Sequence, residues 1–158
     1  QAYYSLVGRQ LEYEVLPAAR DLGLGVMVWG PLASGFLAGK YHRDGKGEGR
    51  RAVASYPPVD LERGHDVVDV LREVADAHQV SPAQVALAWL LHQEGVTSVI
   101  VGATKMHQLE DNLKSVDLEL TSEDLQKLGQ VSDPGPLYAW AWPMPRGVTL
   151  EDVFSNLS

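Results

Sequence analysis

The sequence predicts an α/β fold with parallel strands. Two short, nearly continuous apolar runs, at residues 24–29 (LGVMVW) and 98–101 (SVIV), have the composition of buried strands. Segments with helical apolar spacing flank each run, and such alternation predicts parallel strands joined by helical crossovers. With 158 residues, of which 45% are hydrophobic and 22% charged, the chain fits one globular domain.

The first half of the chain supplies a strand stub, a helix, a strand and a long loop. Residues 1–4 have the character of a short strand, and residues 12–21 (EYEVLPAARD) have helical spacing. The run 24–29 then follows as a strand covered on both faces, and the turn 30–35 (GPLASG) ends it. Residues 39–58 are polar, basic and glycine-rich, which predicts a long irregular loop of the kind that often carries function.

The second half supplies four helices around the second apolar run, and the first of them spans residues 66–78. Residues 81–93 give the clearest helix, with a serine cap, proline at the first helical position and Gln84 completing a capping box. The last helix, 121–131, begins with a Thr-x-x-Asp cap. Residues 132–158 form a tail whose tryptophans, Trp140 and Trp142, are expected at a substrate pocket or an interface.

The most informative segment lies where the second strand leads into the next helix. Ser98–Val101 ends in a small-residue turn, and Gly102–Lys105 opens a helix whose N–H groups, hydroxyl and lysine favour an anion such as a phosphate. On a helical wheel the short polar side chains share one side, expected to face water, and the apolar ones share the other. The polar set is Thr104, Gln108, Asp111 and Asn112. The apolar set is Met106, Leu109, Leu113 and Val116. The alternative interpretation is a Thr104 N-cap, a solvated Lys105 and a neutral polar surface.

Composition excludes several classes of function. A net charge of −8 argues against a nucleic-acid partner and against an anionic membrane surface. No apolar run reaches the roughly 18 residues of a membrane span, and no secretory leader is visible. The chain has no cysteine, which removes disulfides and thiolate catalysis and is compatible with a cytoplasmic location. The five histidines lack metal-ligand spacing, so no metal site is predicted.

Two observations predict that the chain is part of a larger unit. It begins at Gln1 with neither a methionine nor an approach segment, which is expected of a fragment or a processed chain. Two clear strands and a stub leave unpaired edges and a thin core, which is too little sheet for a complete α/β domain.

Three groups of motifs occur in order along the chain. They are Gln1-x-x-Tyr4-Ser5-Leu6 with Arg9, then WGPLASG at 29–35 with LAGKY at 37–41, then GATK at 102–105 with QLxDNL at 108–113. Together they resemble the aldo-keto reductases, in the branch that includes the potassium-channel β subunits and related bacterial reductases. The likeness covers residues 1–131. It implies the C-terminal portion of a (β/α)8 TIM barrel, incomplete in this chain, that binds NADP(H). The whole enzyme would reduce aldehydes or ketones with NADPH.

The resemblance also implies a place for each strand. Gln1 would end the sixth strand, and the two apolar runs would be the seventh and eighth. Barrel enzymes often bind phosphate at the loops after those last two strands. The anion site inferred from residues 102–105 falls in that region.

The resemblance implies roles around the nicotinamide and the phosphates. Gln1 is similar to a glutamine that hydrogen-bonds the nicotinamide carboxamide, and Trp29 to an aromatic residue that stacks on the ring. Plain core packing would suit Trp29 equally well. Five consecutive residues resemble the family's loop whose backbone runs along the pyrophosphate, namely Gly30, Pro31, Leu32, Ala33 and Ser34. Lys40 and Arg51 resemble basic residues near the phosphates, with a solvated basic loop as the alternative.

At the adenosine end, Gly102 and Thr104 resemble a turn that grips the ribose 2′-phosphate. Lys105 stands beside them where many relatives carry a cation, which the resemblance implies would favour NADP over NAD. Three further residues resemble those with which the family holds the ribose phosphate and the adenine edge, namely Gln108, Asp111 and Asn112. Asp111 stands where many relatives carry a glutamate.

The proton donor of the family's chemistry has no counterpart in this sequence. In the family a tyrosine, tuned by a lysine and an aspartate, works with a histidine, and all four lie in the N-terminal half of the barrel. No catalytic residue is therefore assigned, and Tyr41, beside Lys40, is expected to anchor its loop. Three interpretations stay open: the cofactor-binding part of a carbonyl reductase, a catalytically silent nucleotide-binding or assembly module, and a non-functional truncation product. Either self-association or an N-terminal half would complete the barrel.

Overall fold

The computed structural model describes residues 1–44 and 56–135 of the chain. Three strands, β1 (Ala2–Tyr3), β2 (Val26–Trp29) and β3 (Val96–Val99), form one sheet in the order β1-β2-β3. Both pairings are parallel, with Tyr3 opposite Trp29 and Val28 opposite Val99. The predicted parallel α/β arrangement is thus confirmed for the described residues.

Five α-helices accompany the sheet in the described part of the chain. They are α1 (Val15–Asp21), α2 (Leu61–His78), α3 (Pro82–Leu91), α4 (Met106–Leu113) and α5 (Ser122–Val131). Short 3-10 helices span Gln10–Glu12, Ala33–Ala38 and Lys114–Asp117. No helix among the described residues combines the length and apolarity needed to cross a bilayer.

The core lies between one face of the sheet and the helices. Val28 in the central strand is fully buried, and so are Leu71 of α2, Leu90 of α3 and Leu128 of α5. Strand β2 alternates buried and accessible residues, and Met27 in its middle is 48% exposed. The prediction that this strand is covered on both faces is wrong within the described residues, because the helices pack on one face alone.

Helix caps fix several element boundaries. Ser81 Oγ accepts the N–H of Gln84 at 3.1 Å, and Pro82 takes the first position of α3, as predicted. The predicted Thr121–Asp124 capping box is confirmed in both directions at the start of α5. Helix α2 begins at Leu61 rather than at 66, because the Asp60 carboxylate accepts the N–H groups of Glu62 and Arg63.

Three other boundaries differ from the predicted ones. Helix α1 begins at Val15, which places Pro17 in its first turn, where a proline is tolerated. Strand β3 occupies 96–99 rather than 98–101, and Ile100 N–H extends the pairing by donating to Val28 C=O at 2.8 Å. Gln1 precedes β1 instead of ending the strand, since Ala2 and Tyr3 both pair with β2.

Candidate functional site

The candidate site lies at the edge of the sheet where the three parallel strands end. Trp29 closes β2 opposite Tyr3, and the chain after β3 reaches the start of α4 through residues 100–105. The carboxyl ends of parallel strands share one edge, which is where α/β sheets place their ligand sites. The structure therefore brings Trp29, the turn after it and the Gly102–Lys105 segment to a common edge.

Trp29 is half-buried and meets two aromatic rings. Its ring centroid lies 5.0 Å from that of Tyr3, with the planes inclined by 40°. The rings of Trp29 and Tyr56 are nearly parallel, with their centroids 6.2 Å apart and their planes inclined by 12°. Sequence reasoning missed both neighbours, because neither tyrosine belongs to a periodic pattern that would relate it to Trp29.

Gln1 shares the accessible sheet face with Trp29 by register. It precedes Ala2, which pairs with Val28, and alternate residues of a strand point to the same side. Gln1 is therefore on the side of Met27 and Trp29, and it is exposed.

The turn after β2 contains several residues with positive φ. Gly30 has φ of +65°, and a Cβ there would lie 2.9 Å from Tyr3 Cδ2, so a side chain is excluded. Ala33 and Ser34 also have positive φ, at 47° and 58°, an unusual conformation for residues other than glycine. Backbone strain of this kind concentrates at binding sites and is held there by its surroundings. Pro31 and Ala33 are buried, so the turn is packed in place.

Lys40 is exposed, and hydrogen bonds and ion pairs connect its segment to α2. Arg72 Nη2 donates to Gly39 C=O at 3.0 Å, directly before Lys40. Arg43, three residues later, reaches Asp66 and Asp69 at 2.7 and 2.8 Å. Tyr41 stacks on Phe36 at 6.2 Å and 14°, which confirms its expected role as a loop anchor. Arg51, the other predicted basic residue, lies outside the described residues.

The start of α4 is open to solvent. The N-cap is Lys105, with an extended backbone and no side-chain capping bond, so the alternative of a Thr104 N-cap is wrong. Thr104 instead donates its N–H and its hydroxyl to Gln108 Oε1 at 3.3 and 3.4 Å. Gly102, Thr104 and Lys105 are all exposed. Since a first helical turn leaves N–H groups without intrahelical partners, this end retains the character of an anion site.

The two faces of α4 are oriented opposite to the prediction. Asp111 Oδ2 accepts Ser81 Oγ at 2.6 Å, its Oδ1 accepts Gln84 Nε2 at 2.5 Å, and Asn112 is buried. Met106 and Val116 are instead 69% and 68% exposed. The expectation that the polar row faces water is wrong, because α3 offers donors to that row. No described element covers the apolar side.

The same contacts correct the predicted capping box at α3. Gln84 supplies the expected backbone N–H to Ser81, but its side chain goes to Asp111 rather than back to the N-cap. The amide of Gln84 is 5% exposed and needs a partner, which the carboxylate of α4 provides. Asp111, assigned from the resemblance to the cofactor, therefore also holds α4 against α3.

We expect Asp111→Ala to lower the free energy of unfolding by about 1–3 kcal/mol, because it leaves the buried Gln84 amide without its acceptor. Urea denaturation measures this loss. Glu110→Ala is the matched control, since Glu110 is the exposed neighbour and its replacement should change stability by less than about 0.5 kcal/mol. Equal losses in the two variants would show that the Asp111 contacts do not hold α4.

Burial and hydrogen bonds shift the pKa values of several titratable side chains. Burial and the hydrogen bond to Glu12 raise the pKa of Tyr4, whose hydroxyl donates to Glu12 Oε1 at 2.5 Å. Burial also lowers the pKa of His65, which packs on Phe36 at 5.2 Å. For Asp124, hydrogen bonds from Thr121 and His78 outweigh burial and lower its pKa. No group of residues that could hold a metal ion occurs among the described residues.

Three parallel strands joined by helical crossovers define an α/β protein. A sequence profile of the Aldo/keto reductase family matches residues 1–133. The chain belongs to this family of oxidoreductases, whose fold is a TIM barrel and whose members generally use a nicotinamide cofactor. The three described strands are consistent with part of such a barrel.

The curated relatives agree with this assignment. The chain is 40% identical over 149 residues to an uncharacterized oxidoreductase, YrpG, of Bacillus subtilis, covering 89% of this chain and 43% of that protein. It is 38% identical over 146 residues to a probable voltage-gated potassium channel subunit beta of Arabidopsis thaliana, covering 86% and 44%.

A third relative carries a named activity. The chain is 34% identical over 152 residues to L-glyceraldehyde 3-phosphate reductase of Escherichia coli O157:H7, covering 89% of this chain and 43% of that protein. The chain thus spans less than half the length of each of these three relatives.

Proposed function

We propose that this chain carries the cofactor-binding part of an NADPH-dependent reductase of aldehydes or ketones. The observation that supports this most is the shared edge: an accessible tryptophan, a strained turn and an open helix start all lie where three parallel strands end. A dinucleotide needs these three features in sequence, namely a surface for the ring, a backbone path for the pyrophosphate and an anion site for the phosphate. The absence of cysteine from the sequence is compatible with the cytoplasm as the cellular location of this activity.

The residues present fit an extended dinucleotide phosphate. Trp29 would stack on the nicotinamide ring, with Gln1 on the same sheet face to bind the carboxamide. The turn Gly30–Ser34 and Lys40 would accompany the pyrophosphate. NADPH, when bound, supplies the hydride that reduces a carbonyl group. This chain's contribution is to bind the cofactor and to orient its ring.

At the adenosine end the proposal depends on Thr104, Lys105 and Gln108. All three lie in the open start of α4, and Lys105 is an exposed cation next to the first-turn N–H groups. A 2′-phosphate would there meet a positive charge and the positive end of the helix dipole. Asp111 supports this end through its hydrogen bonds to Ser81 and Gln84 at the start of α3, and Asn112 next to it is buried.

We expect Lys105→Glu to weaken NADPH binding about 10- to 100-fold and NADH binding much less, because a charge-assisted hydrogen bond contributes about 1.5–3 kcal/mol. Titrations followed by tryptophan fluorescence measure both affinities. Lys114→Glu makes the same change of charge on an exposed lysine just past the other end of α4, and it should affect the two cofactors equally. Equal losses for both cofactors in Lys105→Glu would mean that Lys105 does not contact the 2′-phosphate.

A second candidate is a catalytically silent nucleotide-binding or assembly module. It is favoured by the sequence, in which the tyrosine, lysine, aspartate and histidine of the family's chemistry have no counterpart. The two candidates separate when a generic aldehyde is added to the NADPH-loaded protein and cofactor oxidation is followed. Turnover by this chain alone supports the reductase, and binding without turnover supports the silent module.

The proposal includes a partner that completes the barrel, either an N-terminal half or a second copy of this chain. In the described sheet β1 and β3 each pair with β2 alone, which leaves their outer edges open. Open edges and the exposed apolar side of α4 form a surface that another strand and helix could cover. Native mass spectrometry of the chain, alone and mixed with a polypeptide that supplies the first half of a relative, distinguishes the two partners.

A further inference from the structure

Tyr56 is an exposed side chain that lies on the candidate ring-binding surface. Its ring runs almost parallel to that of Trp29, with the centroids 6.2 Å apart and the planes inclined by 12°. The residue is 62% exposed. Its backbone carbonyl accepts a hydrogen bond from Ser34 Oγ at 2.6 Å, which ties it to the turn after β2.

The second aromatic neighbour of Trp29 is fixed in a different way. Tyr3 belongs to β1 and pairs in register with Trp29, and its hydroxyl hydrogen-bonds Ser5 Oγ at 3.0 Å. Its ring also lies against Gly30, where a Cβ would come within 2.9 Å of it. Tyr3 cannot move without disturbing the sheet. Of the two rings in contact with Trp29, Tyr56 is therefore the one that can be displaced.

We propose that Tyr56 covers the nicotinamide-stacking surface of Trp29 in the free protein and competes with the cofactor ring for it. This inference rests on the proposed function, and it adds a residue that neither the sequence motifs nor the comparisons assign. The parallel orientation supports it, because an offset-stacked ring at 6.2 Å lies beside part of the Trp29 face that a planar ligand would use. The Ser34 hydrogen bond holds the backbone of Tyr56 beside the turn, so the ring returns when the ligand leaves.

The competition has a definite effect on affinity. A stacked aromatic pair contributes enough to change an equilibrium by about two- to tenfold. Tyr56→Ala should therefore tighten NADPH binding by about two- to tenfold. The fragment adenosine 2′,5′-bisphosphate lacks the nicotinamide ring and so would not use the Trp29 surface, and its affinity should not change. Tyr56→Phe keeps the ring and should restore the affinity of the original protein.

Calorimetric titration of the original chain, Tyr56→Ala and Tyr56→Phe with NADPH and with adenosine 2′,5′-bisphosphate tests this inference. Tighter binding of NADPH alone in Tyr56→Ala supports it. An unchanged or weaker NADPH affinity in that variant, with the original chain binding normally, overturns it and leaves the proposed function intact. If the original chain binds neither ligand, the proposed function fails, and this inference fails with it.

A measurement without ligand tests the cover itself. Acrylamide quenching of Trp29, taken as the difference from Trp29→Phe, should increase when Tyr56 is replaced by alanine and stay unchanged with phenylalanine. Since Tyr56 is mostly exposed, its replacement is not expected to unfold the chain. Unchanged quenching in Tyr56→Ala would show that its ring does not cover Trp29 in solution, and the inference would fall on that result alone.

Discussion

Replacement of Trp89 by alanine is expected to lower the free energy of unfolding by about 3–5 kcal/mol, the largest stability change we predict. Trp89 lies in α3 and is 2% exposed. Its ring meets that of Tyr4 at 5.6 Å, and the guanidinium of Arg9 lies 5.3 Å from its centroid. Removing the ring would therefore leave a cavity where the segment after β1 packs on α3.

Urea denaturation followed by circular dichroism measures this effect without relying on the lost tryptophan. Leu91→Ala in the same helix is the matched control, because Leu91 is already 37% exposed and its removal leaves a smaller void. A similar loss in both variants would mean that Trp89 does not anchor the core. Since the candidate site depends on the positions of β1 and β2, NADPH affinity should fall with stability in Trp89→Ala.

Replacement of Arg9 by alanine is expected to cost about 3 kcal/mol, because it removes one partner of a mostly buried ion pair. Arg9 donates from Nε and Nη2 to the Glu12 carboxylate at 2.6 and 2.8 Å. Its Nη1 reaches Gly129 C=O and Ser132 Oγ, both at 2.8 Å. One planar side chain thus connects the segment after β1 with α5.

Arg9→Lys should recover only part of the loss, since an ammonium group cannot reproduce the planar arrangement of donors. Arg20→Ala is the control for charge alone. Arg20 pairs with Glu94 at 2.5 Å, but the two side chains are 42% and 80% exposed, so its loss should cost less than about 1 kcal/mol. Full recovery in Arg9→Lys would show that the charge of Arg9 matters and its geometry does not.

Local signals made much of the fold predictable. Ser81, Pro82 and the Thr121–Asp124 pair mark helix starts through chemistry that involves neighbouring residues only. Asp60 gave an equally local signal for α2, but the polar residues after it concealed the helical spacing. The two apolar runs predicted β2 and β3 to within two residues. In β2 the buried Val26 and Val28 carry this apolar signal, whereas no residue of β3 is buried among the described residues, so its prediction as a buried strand is wrong.

Long-range contacts account for what the sequence could not predict. The wheel of α4 separated its polar and apolar sides correctly, yet the choice of which side is buried depends on Ser81 and Gln84, far away in the chain. Tyr56 stacks on Trp29 although the two residues are 27 positions apart, and no periodic spacing in the sequence indicates this contact. The roles assigned to Gln1, Trp29 and Lys105 from the resemblance stay predictions until binding is measured.

The contacts of Arg9 also set an order of events during synthesis. Its two partners near α5 stand 120 and 123 residues further along the chain, so both must leave the ribosome before the guanidinium can be satisfied. At typical translation speeds this takes on the order of ten seconds. Until then Arg9, which lies against the ring of Trp89, lacks its hydrogen bonds to Gly129 and Ser132. The segment after β1 is consequently secured only once the α5 region has been synthesised, so it depends on protection while translation of that region continues.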